Sequence, residues 1–127
     1  MEATVQHAEG LRLSLPARPE FVGVARLTLS GLAARLGFDV DATEDIKLAV
    51  AEALNLLLRP TAATTQIDLT ATWDETSLEI ELGRLDVDLP ADDDAQIAQM
   101  VMAEFMDEAA LADQTPQVRL RKRRAGA

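Results

Sequence analysis

The chain contains no cysteine, so disulfides are excluded and nothing hints at a secreted scaffold. Its single histidine, His7, has no second His or Cys to complete a metal site and reads as a loose N-terminal residue. No apolar run approaches the roughly 20 residues needed to span a bilayer. Met1-Glu2-Ala3-Thr4 shows neither the basic nor the apolar region of a signal peptide. A soluble, cytoplasmic protein without a membrane partner is the expectation. Cations are also scarce: 12 Lys+Arg against 22 Asp+Glu give a formal net charge of -10. That sign repels a phosphate backbone and argues against direct nucleic-acid binding.

What is present suffices for a core. With 127 residues and 48% hydrophobic content, a single domain over 1–127 is expected, with an ordered core at about 10–122. The segments 1–10 and 122–127 read as loose ends. Acid concentrates between Asp74 and Asp94, where Arg84 is the only opposing charge, while Arg119-Leu120-Arg121-Lys122-Arg123-Arg124 is basic. This pattern reads either as a solvated acidic face with a frayed basic tail, or as an acidic surface that docks a basic protein.

Leu11, Leu13 and Leu15 alternate with polar residues as a half-buried strand does, ended by Pro16 and Pro19. From Glu20 to Leu36 the positions Phe21, Val24, Ala25, Leu29, Leu32, Ala33 and Leu36 fall at helical spacing, and Gly37 supplies the stop. Asp41 with Glu44 has the form of a capping box. It opens a second helix with the stripe Ile46, Ala49, Val50, Ala53 and Leu57, closed by Pro60. Ile67, Leu69, Ala71 and Trp73, then Leu78, Ile80 and Leu82, alternate around Asp74-Glu75-Thr76 as a hairpin. Asp92-Asp93-Asp94 opens a third helix with the stripe Ile97, Met100, Val101, Phe105 and Ala109, and Val118 and Leu120 lie in a last strand. Strands apolar on one side only predict an α+β fold. It is a two-layer sandwich whose mainly antiparallel sheet is covered on one face by three helices.

The runs Leu15-Pro16-Ala17-Arg18-Pro19-Glu20-Phe21-Val22-Gly23-Val24-Ala25-Arg26 and Glu44-Asp45-Ile46-Lys47-Leu48-Ala49-Val50-Ala51-Glu52-Ala53 resemble the anti-sigma factor serine kinases of bacterial partner-switching systems. Met106-Asp107-Glu108, placed on the third helix, is a further match. The resemblance implies the histidine-kinase-like ATPase (Bergerat) fold and a homodimer. It also implies two protein partners: a sigma factor, and an anti-anti-sigma (STAS-type) protein phosphorylated on serine with ATP and Mg²⁺. It places Arg26, with Glu20, Val22 and Gly23 beside it, at the partner surface.

The same resemblance implies an ATP site whose parts are altered here. The motif Glu-Ala-x-x-Asn appears as Glu52-Ala53-Leu54-Asn55-Leu56, with the amide one residue early. That step swings it about 100° around the helix, away from a metal that needs near-octahedral oxygen ligation. Arg84 stands where an adenine-reading aspartate is expected, and Asp86 and Asp88 replace glycines. Asp92-Asp93-Asp94 occupies a helix start expected to receive phosphate, and the segment before it is too short for a lid. The reading is therefore a non-catalytic binding module with remnants at Glu52 and Asn55, no cofactor and no metal. Two alternatives stay open: an active serine kinase with altered ATP binding, and a regulatory subunit of an intact paralogue. Trp73 reads as core or sheet edge, and Met100, Met102 and Met106 as core with some adaptable surface.

Overall fold

A computed structural model describes residues 9–60, 66–85 and 87–125. His7 and Asp86 lie outside the described residues. Strands β1 (Glu9–Pro16), β2 (Gln66–Trp73), β3 (Ser77–Gly83), β4 (Glu108–Leu111) and β5 (Val118–Arg123) form one sheet in the order β1-β2-β3-β5-β4, every pairing antiparallel. Helices α1 (Val22–Arg35), α2 (Val40–Leu58) and α3 (Asp93–Phe105) cover one face, which makes the expected two-layer α+β sandwich.

The hairpin residues Ile67, Leu69, Ala71, Leu78, Ile80 and Leu82 are all buried, as their alternation requires. They meet Leu29 of α1, Ile46, Val50 and Leu57 of α2 and Met102 of α3 in one core. Trp73 packs half-buried against its end. Gly37, at φ 89°, ends α1 in the left-handed region that suits glycine. Val24 does not join the α1 stripe: it is exposed, one position off the buried row Ala25, Leu29 and Ala33.

Several boundaries differ from the sequence reading. A short 3-10 turn, Pro19–Phe21, precedes α1. The cap of α2 is Asp39, not Asp41: its extended backbone lets the carboxylate accept from the Ala42 amide at 2.8 Å, and Asp41 sits in the first turn. Glu44 instead pairs with Lys47 at 2.9 Å. In α3 the buried face is Ala95, Ala98 and Met102, while Ile97 and Met100 are exposed. Small alanines let α3 approach α2 closely, and the bulkier side chains are left outside. Met106 is extended, so Met106-Asp107-Glu108 leaves the helix. Ala109 follows Phe105 at helical spacing, yet it lies in β4, which Asp107 leads into: the Asp107 amide donates to Arg121 O of β5, and its carboxylate accepts from the Arg123 amide.

The basic segment is β5, not a frayed tail. Arg119 and Arg121 point to the open face, pairing with Glu81 at 3.3 Å and with Glu108. Lys122 and Arg124 point to the helices. Lys122 Nζ donates to Phe105 O at 2.6 Å at the end of α3, and Arg124 Nη2 to Leu36 O at 2.9 Å at the end of α1. Arg84 does the same for α2, its Nη1 donating to Leu57 O at 2.8 Å and Pro60 O at 2.9 Å. Neither α2 nor α3 has a basic residue in its own last turn. All three helices thus receive a cation from outside at the end where carbonyls lack partners and the dipole is negative.

Candidate functional site

Two regions gather the residues singled out above. The first is the junction of α2, α3 and the loop after β3. Glu52 and Asn55, three apart on α2, line one groove of about 220 Å³ with Leu56, Arg59, Asp94 and Ala98. The i,i+3 spacing thus keeps the carboxylate and amide on a shared face. Leu56, one step on, is 3% exposed and belongs to the core. Arg59 closes the end of this groove. Its Nη1 and Nη2 donate to Asp92 Oδ1 at 3.1 Å and Oδ2 at 2.6 Å, a bidentate bridge from the end of α2 to the start of α3.

Asp92 also caps α3, accepting from the Ala95 amide at 2.9 Å. The Arg59 hydrogen bonds, then the Ala95 amide, hold its carboxyl down at about 2. A carboxylate depressed in the folded state stabilises the fold fully above its unfolded value of about 3.9, and the contribution is lost as pH falls through about 2. Asp74, lowered by the Thr76 amide and hydroxyl and by the Ser77 amide, acts in the same direction. Asp92→Asn keeps a capping oxygen but loses the charge. Its melting temperature is expected to fall less than the parent's between about pH 4 and pH 2. Parallel curves for the two proteins would remove the Arg59–Asp92 bridge from the acid response.

Arg84 is 2% exposed, and its backbone is fixed by Gln117: the Arg84 amide donates to Gln117 Oε1 at 2.8 Å, and Gln117 Nε2 donates to Arg84 O at 2.6 Å and to Val87 O at 3.1 Å. A Cβ on Gly83 would lie 2.7 Å from Thr115 Cγ2 and 3.2 Å from Pro116 Cα, so this loop closes on the sheet only over glycine. The guanidinium is thereby carried down onto the end of α2. Asp88, Asp93 and Asp94 are exposed.

The second region is the outer face of α1. Glu20 is exposed in the 3-10 turn, Val22 is half-buried and Gly23 exposed at the helix start. Gly23, Arg26, Leu27 and Ser30 line a groove of about 210 Å³ with Lys47 of α2. Arg26 Nε is buried without a hydrogen-bond partner among the described residues, and Leu27 is 75% exposed. Glu20 and Val22 do not line this groove.

Against known proteins, the chain is 57% identical over 44 residues to the serine-protein kinase RsbW of Oceanobacillus iheyensis, 35% of this chain and 28% of that protein. It is 51% identical over 47 residues to RsbW of Bacillus subtilis, 37% of this chain and 29% of that one. A third RsbW, from Halalkalibacterium halodurans, is 57% identical over 49 residues. Over such a stretch the chain is RsbW-like. The match covers less than a third of the length of these curated relatives. No family model matches the chain.

Several residues of this RsbW-like chain escaped the sequence reading. Arg59, Gln117 and Lys47 become site residues through partners 33, 33 and roughly 20 positions away, the last on an adjacent helix. Only Arg59 carried a local sign, a cation directly before the helix-closing Pro60. Among the described residues no helix is long and apolar enough to cross a membrane.

Proposed function

We propose that this RsbW-like chain is a non-catalytic binding module of the anti-sigma type. It holds a sigma factor, or the anti-anti-sigma (STAS-type) protein that competes for it, on the outer face of α1. Arg26 is the central contact, with Glu20, Val22 and Gly23 at its N-terminal flank. The reading rests on likeness to serine-protein kinases named RsbW and on an α1 groove where Arg26, whose Nε has no hydrogen-bond partner among the described residues, lies beside exposed Leu27.

One observation above all supports the absence of catalysis. Arg84, at the position the resemblance gives to an adenine-reading carboxylate, is buried with its guanidinium on the last carbonyls of α2. A donor-only group there offers nothing to an exocyclic amino group. Leu56 in the core cannot ligate Mg²⁺, and Asp92, Asp93 and Asp94 at the start of α3 oppose a triphosphate. The residues present do not fit Mg-ATP.

The other reading, a serine kinase with an altered nucleotide mode, draws on Glu52 and Asn55 lining the same groove. Titration calorimetry with Mg-ATP and transfer of labelled phosphate to a STAS-type protein separate the two. No heat at millimolar nucleotide and no label are expected; micromolar affinity in a melting-shift assay would decide for the kinase.

A further inference from the structure

We propose that the outer face of α2 and α3 is a second docking surface, separate from α1, and that its occupant is a basic amphipathic helix of a partner protein. Arg59–Asp92 ties the end of α2 to the start of α3, and Lys122 ties Asp45 at 3.3 Å to Phe105 O at 2.6 Å at the opposite ends. The two helices therefore run antiparallel and form a groove between ridges, the shape that accepts a third helix.

The exposed surface of this helix pair is apolar at its centre and acidic at its ends. Ile97 is 56% exposed and Met100 68%, and Leu48 on α2 is 43% exposed. Asp93, Ile97, Met100 and Glu104 follow one another at spacings of four, three and four, a single row along α3. The apolar pair is thus bracketed by carboxylates about 16 Å apart along the axis. Glu52 lies one turn beyond Leu48 on the α2 side. Asp93, Glu104 and Glu52 make no hydrogen bond or ion pair among the described residues, and the nearby Arg59 is already bound to Asp92.

A partner helix with leucine-like residues in its middle turn and Lys or Arg near both ends matches this row in charge and spacing. An anionic membrane is repelled by the same carboxylates. A second copy docking α3 against α3 about a two-fold axis would set Asp93 against Glu104, like charge on like. Burial of Ile97 and Met100 supplies the attraction, and the flanking acids supply register and salt dependence.

Fluorescence anisotropy tests this with a labelled Leu/Lys amphipathic helix of about 15 residues and its Leu/Glu counterpart as probes. The Lys probe is expected to bind and to weaken as salt rises, and the Glu probe not to bind. Ile97→Ser with Met100→Gln, both at exposed sites, is expected to weaken the Lys probe about tenfold or more, and Asp93→Asn with Glu104→Gln to flatten its salt dependence. Arg26→Glu is expected to leave the probe unaffected, so failure at α1 and failure here are read separately. Equal binding of both probes, no binding of either, or indifference to Ile97→Ser with Met100→Gln overturns the proposal. So does an Ile97→Ser with Met100→Gln protein that changes from dimer to monomer in sedimentation, because a second copy would then be the occupant.

Discussion

Arg84→Ala is expected to lower the melting temperature by about 10 °C. The substitution removes a charged donor from Leu57 O and Pro60 O and leaves both carbonyls at a buried helix end. Hydrogen bonds to charged groups contribute about 1.5 kcal/mol or more each, and the space vacated adds a cavity cost. A total of about 3 kcal/mol, at roughly 3–4 °C per kcal/mol for a domain of this size, gives the stated shift. Arg84→Met separates packing from polarity: it refills much of the volume but satisfies neither carbonyl, so it is expected to recover only part of the loss. Full recovery by methionine, or a shift under about 2 °C for alanine, would show that the cation at the end of α2 contributes little.

Arg26→Glu is expected to act in the opposite way, abolishing capture of the α1 partner while leaving the melting temperature within about 2 °C of the parent. Among the described residues Arg26 makes no hydrogen bond or ion pair, so reversing its charge breaks no such contact there. At an interface, placing a carboxylate where a cation meets its partner costs several kcal/mol, about a hundredfold or more in affinity. Arg35→Glu is the control. It makes the same charge change on the same helix, at an exposed position outside the groove. Surface plasmon resonance against a sigma factor or STAS-type protein captured from the native cell reads both variants. Equal losses for Arg26→Glu and Arg35→Glu would reduce the effect to long-range electrostatics; no loss for Arg26→Glu would move the partner off this face.

Much of the scaffold was legible because its signals are local. Alternation in the β2–β3 hairpin, the 3.6-residue stripe of α2 and the glycine stop of α1 each follow from the chemistry of a few neighbouring residues. The failures share a cause. Ile97 and Met100 fit a helical period as well as Ala95, Ala98 and Met102 do, and only the close approach of α2 decides that the smaller set is buried. Ala109 keeps helical spacing from Phe105, but pairing with β5 claims it. Asp41 and Glu44 form a valid capping pattern, yet the turn after Gly37 delivers Asp39 to the cap.

The site divides in the same way. That Leu56 stands where the resemblance expects an amide, that Arg84 stands where it expects an acceptor and that three aspartates open α3 are matters of residue type at a position, readable from the chain once the resemblance is assumed. What those residues do instead depends on contacts between segments distant along the chain, such as Arg59 with Asp92 and Arg84 with the carbonyls of α2, which no local pattern encodes. The fate of the basic segment shows why. Its charges are evident in the sequence, but a side chain's partners depend on which strand lies beside it. Only the pairing of β5 with β3 and β4 sends Arg119 and Arg121 to acids on the open face, and Lys122 and Arg124 to the ends of helices.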